Sequence, residues 1–131
     1  MTPRHRTIHL LATAAIGGVW IFHGLFSKIL GGIPRHRLII ERILGESVAD
    51  HATVAIGVLE ILLGLWVFSR RNRVRCALAQ TLAIVTMNAI EIALAKDLLI
   101  SAPGMVGLNC AFLAVVWYWA LAVRSDPPRI S

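Results

Sequence analysis

Four runs of apolar residues dominate the sequence, and each is long enough to cross a membrane as a helix. The hydrocarbon core of a bilayer is about 30 Å thick and requires roughly 20 mostly apolar residues per helix. We predict transmembrane helices over about residues 8–28, 52–69, 75–96 and 104–123, all within a single membrane domain, 1–131. The sequence therefore predicts an all-α integral membrane protein folded as a four-helix bundle.

The composition supports a membrane protein over a soluble one. Apolar residues make up 57% of the chain and charged residues only 15%, whereas soluble domains carry about 25% charged residues. This balance argues against a soluble enzyme and excludes intrinsic disorder. The net charge of +6 comes from short basic clusters between the apolar runs. Because no solvated basic face is apparent, we expect no nucleic-acid partner.

The distribution of Lys and Arg predicts the orientation of the four spans. The two terminal segments and the hairpin SRRNRVR, residues 69–75, together hold eight of the thirteen basic residues. Basic residues are enriched on the cytoplasmic side of membrane proteins. We therefore expect both termini and this hairpin to lie in the cytoplasm. The short hairpin also predicts that the second and third spans are antiparallel neighbours.

Aromatic residues cluster near the cytoplasmic ends of the second and fourth spans: Trp66, Phe68, Trp117, Tyr118 and Trp119. Tryptophan and tyrosine commonly anchor transmembrane helices at the membrane–water interface. These five side chains are therefore predicted to form an aromatic belt in contact with lipid.

The first outer loop contains the pattern of a short amphipathic helix over about residues 35–45. Gly31 and Gly32 interrupt the first span, Pro34 suits a helix start, and Gly45 suits a helix end. Arginine and glutamate side chains, including Arg35, would form its polar side, and leucine and isoleucine its apolar side. Two interpretations remain open: the helix caps the bundle, or it is a lid over a site.

Three ionisable residues lie inside the predicted spans, namely His23, Glu60 and Glu91. Such residues are costly in a membrane and therefore indicate function. At about 1.5 Å per residue, Glu60 lies roughly 15 Å and Glu91 roughly 24 Å from the cytoplasmic arginines. All three then fall between the bilayer midplane and its outer boundary. We regard His23, Glu60 and Glu91 as the candidate catalytic residues, since burial allows them to exchange protons near neutral pH.

Four further residues are candidates for ligand binding, and helical spacing predicts that they share a pocket with the ionisable residues. Asn88 and Glu91 fall on one stripe of the third span, and Trp20 and His23 on one stripe of the first. Lys28 follows at the end of the first span, where its amine could extend to the mouth of the pocket. The candidate ligand-binding set is Trp20, Lys28, Asn88 and Asn109. The alternative is that the polar groups only join helices through hydrogen bonds.

Metal and disulfide chemistry are not expected. One histidine and two glutamates form a carboxylate-rich set, but the Glu-x-x-His motif of bundle metal sites is missing. Cys76 and Cys110 fall in different spans without a ligand spacing. We therefore predict no metal site, no covalently bound cofactor and no disulfide.

Two segments resemble the DoxX-like family. VWIFHGLFSKIL, residues 19–30, is similar to that family's first span, in which His-Gly is followed a turn later by a basic residue. AIGVLEILLGLWVF, residues 55–68, is similar to its second span, Gly-x-x-Glu followed by Gly. His23, Lys28 and Glu60 match the family pattern, whereas Ser27 stands where proline is expected. The resemblance implies a multi-pass, four-helix protein of the bacterial plasma (inner) membrane.

The resemblance also frames the functional hypotheses, because some members of the family are membrane partners of redox proteins. The first hypothesis is a redox-associated subunit that binds a quinone or another lipophilic molecule. Any oxidoreductase activity would then need a soluble or membrane redox partner. The lipid bilayer and a second copy of the chain, in a homo-oligomer, are the other expected partners. The alternatives are a non-catalytic scaffold or assembly factor and, third, a small proton-coupled transporter.

Overall fold

The structure, a computed structural model, describes residues 3–122 and contains five α-helices in this range. They are α1 (Pro3–Ile21), α2 (Pro34–Leu44), α3 (Glu46–Ser69), α4 (Arg73–Ala95) and α5 (Ala102–Ala122). A π-helix, Phe22–Ile29, continues α1, and a short 3-10 helix, Lys96–Leu98, follows α4. No strand occurs among the described residues.

Four helical segments are long and apolar enough to cross a membrane. The first span is Pro3–Ile29, the second Glu46–Ser69, the third Arg73–Leu98 and the fourth Ala102–Ala122. The all-α membrane bundle predicted from the sequence is thereby confirmed. The first and second spans begin earlier than residues 8 and 52, because a helix can continue through polar flanks that a hydropathy pattern excludes. Residue 123 and the C-terminal arginines used in the orientation argument lie outside the described residues.

Glycines bring the first and second spans into close contact. A Cβ atom on Gly24 would overlap the carbonyl oxygen of Gly57, and one on Gly64 would lie 2.9 Å from the carbonyl oxygen of Gly17. Such small residues allow the backbones of membrane helices to approach closely. The third span packs mainly against the fourth, and the first span also contacts the fourth.

The packed core lies toward one end of the bundle, which we call the hairpin end because the α3–α4 turn is there. The opposite end, where α2 lies across the spans, is called the α2 end. Residues 3 and 122 lie at the hairpin end, where His9 stacks on Trp119. The core cluster consists of Ile16, Trp20, Val67, Cys76, Ala77, Ile84, Val116, Trp119 and Ala120.

One member of the predicted aromatic belt belongs to this core. Trp119 is fully buried, and its indole N–H donates a 2.8 Å hydrogen bond to the Thr13 hydroxyl. The prediction of a lipid-facing role is therefore wrong for Trp119, because a hydroxyl on the first span satisfies its N–H group inside the bundle. Tyr118, by contrast, is 52% exposed.

Candidate functional site

A cavity of about 760 Å³ occupies the α2 end of the bundle, beyond the packed core. Trp20, Ile84 and Phe112 line it where it meets the core, and α2 lines it on the other side. All seven residues selected from the sequence line this one cavity: Trp20, His23, Lys28, Glu60, Asn88, Glu91 and Asn109. The structure thus brings the candidate residues together from all four spans.

The π-helix explains why two of these residues line the same cavity. In an α-helix, His23 and Lys28 would be separated by about 140° around the axis, since each residue turns about 100°. In a π-helix the hydrogen bonds run from residue i to i+5, as in the 2.9 Å bond from the Leu30 N–H to the Leu25 carbonyl. Residues five apart therefore return nearly to the same face. Ser27 lies inside this π-helix and is buried.

A buried ion pair links the first and second spans at the cavity. The Lys28 amine nitrogen lies 2.5 Å from Oε1 of Glu60, and the two side chains are only 11% and 5% exposed. The lysine therefore turns inward to the carboxylate, whereas the sequence suggested that it would extend to the mouth. The pair offsets part of the cost of burying either charge alone.

The third and fourth spans meet the cavity through an amide pair. The side-chain amide of Asn109 donates a 2.8 Å hydrogen bond to the side-chain oxygen Oδ1 of Asn88. Glu91 lies one turn from Asn88 on the same side of α4 and is half-buried. The amide pair joins two helices, as the alternative of interhelical hydrogen bonding suggested, and it also places two polar side chains on the cavity wall.

Trp20 presents its ring rather than its N–H group to the cavity. Its indole N–H donates a 2.7 Å hydrogen bond to Gln80, a residue that is fully buried. Sequence reasoning did not select Gln80. Its position on the same stripe of α4 as Ile84, one turn away, is the signal that could have identified it.

The amphipathic helix contributes two polar residues that sequence reasoning did not place in the site. Arg35 and His36 line the cavity together with Ile39, Ile40 and Ile43, because all five lie on one face of α2. The sequence predicts Arg35 on the polar side of this helix, and that prediction is wrong because Arg35 lines the cavity beside the apolar residues of α2. The spacing from residue 36 to residues 39, 40 and 43 is the signal that could have placed His36.

His36 contacts His23 at the cavity wall, with 5.7 Å between their ring centroids. Nδ1 of His36 is buried and has no hydrogen-bond partner among the described residues. Burial, together with the positive charge of Lys28, lowers the pKa of His36 to about 4. His36 is therefore uncharged at neutral pH.

Ion pairs on the outside of the molecule hold α2 over the cavity. Arg37 contacts Asp50 of α3 at 2.6 Å, and Arg42 contacts Asp97 of the 3-10 helix at 2.7 Å. These pairs raise the pKa of both arginines. Because the groups are exposed, each pair contributes little to stability, but together they connect α2 to two spans.

The ionisable groups of the cavity wall balance in charge. Two cations, Lys28 and Arg35, face two carboxyl groups, Glu60 and Glu91, and most of the remaining wall is apolar. An uncharged polar headgroup attached to an apolar body fits such a wall better than a free ion. No group of three or more metal-ligating side chains occurs among residues 3–122.

A four-helix membrane bundle with a polar-lined cavity beneath an amphipathic helix defines the class of this protein. The model of the DoxX-like family matches residues 17–117, a range that includes His23, Lys28 and Glu60. The chain belongs to the DoxX-like family. No curated protein and no solved structure matches it.

Proposed function

We propose that this membrane protein is a redox-associated subunit that binds a quinone, or another lipophilic molecule with a polar headgroup, in the cavity at the α2 end. The observation that supports this is one cavity of about 760 Å³ with mostly apolar walls. Its lining includes all seven polar or aromatic residues that the sequence predicts to be catalytic or ligand-binding. Small-molecule sites typically have volumes of about 300–1,000 Å³ and a few convergent polar groups.

The polar groups provide complementary hydrogen-bonding functions for such a headgroup. The Lys28 amine and the asparagine amides donate hydrogen bonds, and imidazole nitrogens either donate or accept them. When a quinone takes up two electrons it also takes up two protons. Those protons come from water, and Glu60, Glu91 and His23 are groups on the cavity wall that can accept them and pass them on. The electrons would come from a redox partner.

The orientation proposed for the chain places this cavity in the outer half of a bacterial inner membrane. Three basic residues of the hairpin, Arg70, Arg71 and Arg73, favour a cytoplasmic hairpin end. The α2 end would then face the periplasm. A quinone headgroup held there would lie between the bilayer midplane and the outer surface.

Binding of radiolabelled decylubiquinone to the purified protein in lipid nanodiscs tests the proposal. We expect saturable binding by the wild type and about tenfold weaker binding by His23→Ala and Glu60→Gln, which equals about 1.4 kcal/mol. The matched controls are His51→Ala and Glu46→Gln, because both residues are exposed and lie outside the cavity lining. These controls should bind as tightly as the wild type.

Absent binding, or equal binding in all five proteins, would remove the proposal and leave the scaffold hypothesis. The scaffold hypothesis predicts that other substitutions reduce function. Charge reversal at Arg70 and Arg71, which are exposed at the hairpin end, would then reduce the recovery of partner proteins, and His23→Ala would not.

A further inference from the structure

The two halves of α5 differ in how they pack. Its buried residues are Val116, Trp119 and Ala120, all toward the hairpin end. From residue 102 to residue 112 every side chain is half-buried or exposed. The fourth span is therefore packed into the bundle at one end and loosely held at the α2 end.

The side-chain contacts that join the first and fourth spans lie mainly toward the hairpin end, as do the buried residues of α5. Trp119 contacts His9 and Thr13 near the hairpin end. Trp20 and Phe112, with ring centroids 6.2 Å apart, form a further contact that lies closer to the α2 end. Both of these rings line the cavity where it meets the core. Beyond them, residues of the π-helix and residues of α5 both line the cavity.

Several side chains of the membrane-spanning helices line the cavity and are also exposed on the outer surface of the bundle. Val19 on the first span is 38% exposed, and Leu108 on the fourth is 74% exposed, yet both line the cavity. Both residues belong to membrane-spanning helices. The surroundings at this depth are hydrocarbon chains, not water.

We infer that the cavity opens to the bilayer between the first and fourth spans, beside Val19 and Leu108, and that this opening is a lateral portal through which the hydrocarbon chain of a membrane amphiphile enters the cavity. The polar headgroup lies near the Lys28–Glu60 pair, and the chain passes Leu108 into the bilayer. This inference rests on the proposed function for the headgroup, and it adds the route: the ligand arrives from the lipid phase. The chain belongs to a lipid or to a tailed quinone, which share this chemistry.

Photolabelling by lipid tests the portal without any quinone. The protein is placed in nanodiscs made with a phosphatidylcholine that carries a diazirine midway along one acyl chain. After irradiation, fragment-ion mass spectrometry locates the labelled residues. We expect label on Leu59, which is 60% exposed on the lipid-facing surface. We also expect label on Ile84, which is only 6% exposed and is reached from within the cavity.

Two bulky substitutions, one on each side of this opening, test whether the hydrocarbon chain enters there. Leu108→Trp and Val19→Trp should each reduce labelling of Ile84 several-fold and leave labelling of Leu59 unchanged. The matched control is Leu121→Trp, because Leu121 is 47% exposed at the other end of α5 and lies away from the cavity. Retained labelling of Leu59 shows that each variant is still inserted.

The portal is overturned if Ile84 stays unlabelled in the wild type while Leu59 is labelled, or if neither tryptophan changes the labelling of Ile84. Decylubiquinone binding in the same nanodiscs separates the two proposals. Labelled Ile84 without quinone binding supports the portal and removes the quinone. Quinone binding with unlabelled Ile84 supports the binding site and overturns the portal.

Discussion

The amine of Lys28 lies 2.5 Å from Oε1 of Glu60, and this ion pair joins the π-helix of the first span to the middle of the second. Both side chains are almost completely buried. Charges removed from water are costly, and each partner compensates that cost for the other. The pair therefore serves two purposes: it satisfies two buried charges, and it fixes a donor and an acceptor on the cavity wall.

Removing one partner of this pair should destabilise the protein more than removing both. Glu60→Leu leaves the Lys28 ammonium without its counter-charge, and we expect a loss of about 3–5 kcal/mol in the free energy of unfolding. Lys28→Met should cost a similar amount. The combined variant should recover most of this loss, because neither charge is then left unpaired. Equilibrium unfolding in mixed detergent micelles measures all three values, and a combined variant less stable than both single ones would contradict the pairing.

The close approach of the first two spans gives a second prediction. Gly24→Ala places a methyl group against the Gly57 carbonyl oxygen, and because that oxygen is backbone, no side-chain rotation can relieve the overlap. We expect a loss of about 1–3 kcal/mol in the free energy of unfolding, as for an overpacked core.

The matched control is Gly18→Ala in the same span. A Cβ atom at Gly18 meets nothing within 4 Å, and alanine is the better helix former. Gly18→Ala should therefore leave stability unchanged or raise it slightly in the same micelle experiment. Equal losses in the two variants would contradict a specific close contact between Gly24 and Gly57.

The sequence was sufficient to predict the four spans and the convergence of the polar residues. Hydropathy and length indicate a membrane bundle, and the cost of burying a charge in lipid makes Glu60, Glu91 and His23 conspicuous. Helical spacing then directs these residues to one side of each helix. Hydropathy, length, the cost of a buried charge and helical spacing can each be evaluated for a single helix without knowing how it packs.

Features that depend on two elements at once could not be predicted in the same way. Packing against the spans decides which face of α2 is turned toward the cavity. The sequence of α2 alone therefore does not predict that Arg35 and His36 line the cavity. The pairing of Trp119 with Thr13 depends on the register of the first span against the fourth. The π-helix follows no simple composition rule, yet it decides that His23 and Lys28 share a face.

The hydrogen bond from Trp20 to Gln80 gives a third prediction. Gln80→Leu leaves the indole N–H of Trp20 without its acceptor in a part of the bundle where Gln80 itself is fully buried. Hydrogen bonds between membrane helices contribute about 0.6 kcal/mol on average and up to about 1.7, and we expect the upper part of that range here. Thr81→Val is the matched control, because it removes the acceptor of the half-buried Trp117 and should cost less. A larger loss for Thr81→Val would contradict the assignment.

His36 gives a fourth prediction, which concerns pH. Its pKa is about 4 in the folded protein, because the imidazole is buried and faces Lys28, His23 and Arg35, whereas an unperturbed histidine titrates near 6.5. Between these two values the unfolded chain binds a proton that the folded protein does not. The free energy of unfolding contributed by this group therefore falls as the pH is lowered below about 6.5 and levels off below about 4.

The measurement compares wild type with His36→Gln, an uncharged side chain that still forms hydrogen bonds. Other carboxyl groups titrate over the same range in both proteins, so the informative quantity is the difference between their two stability curves. That difference should change steadily between pH 6.5 and 4 and stay constant above pH 7, with the wild type losing more stability on acidification. Parallel curves across the whole range would show that His36 is not held uncharged at the cavity wall. The same experiment with Arg35→Gln should narrow this pH range from its lower end, because removing one of the positive charges that disfavour protonation raises the pKa of His36 in the folded protein.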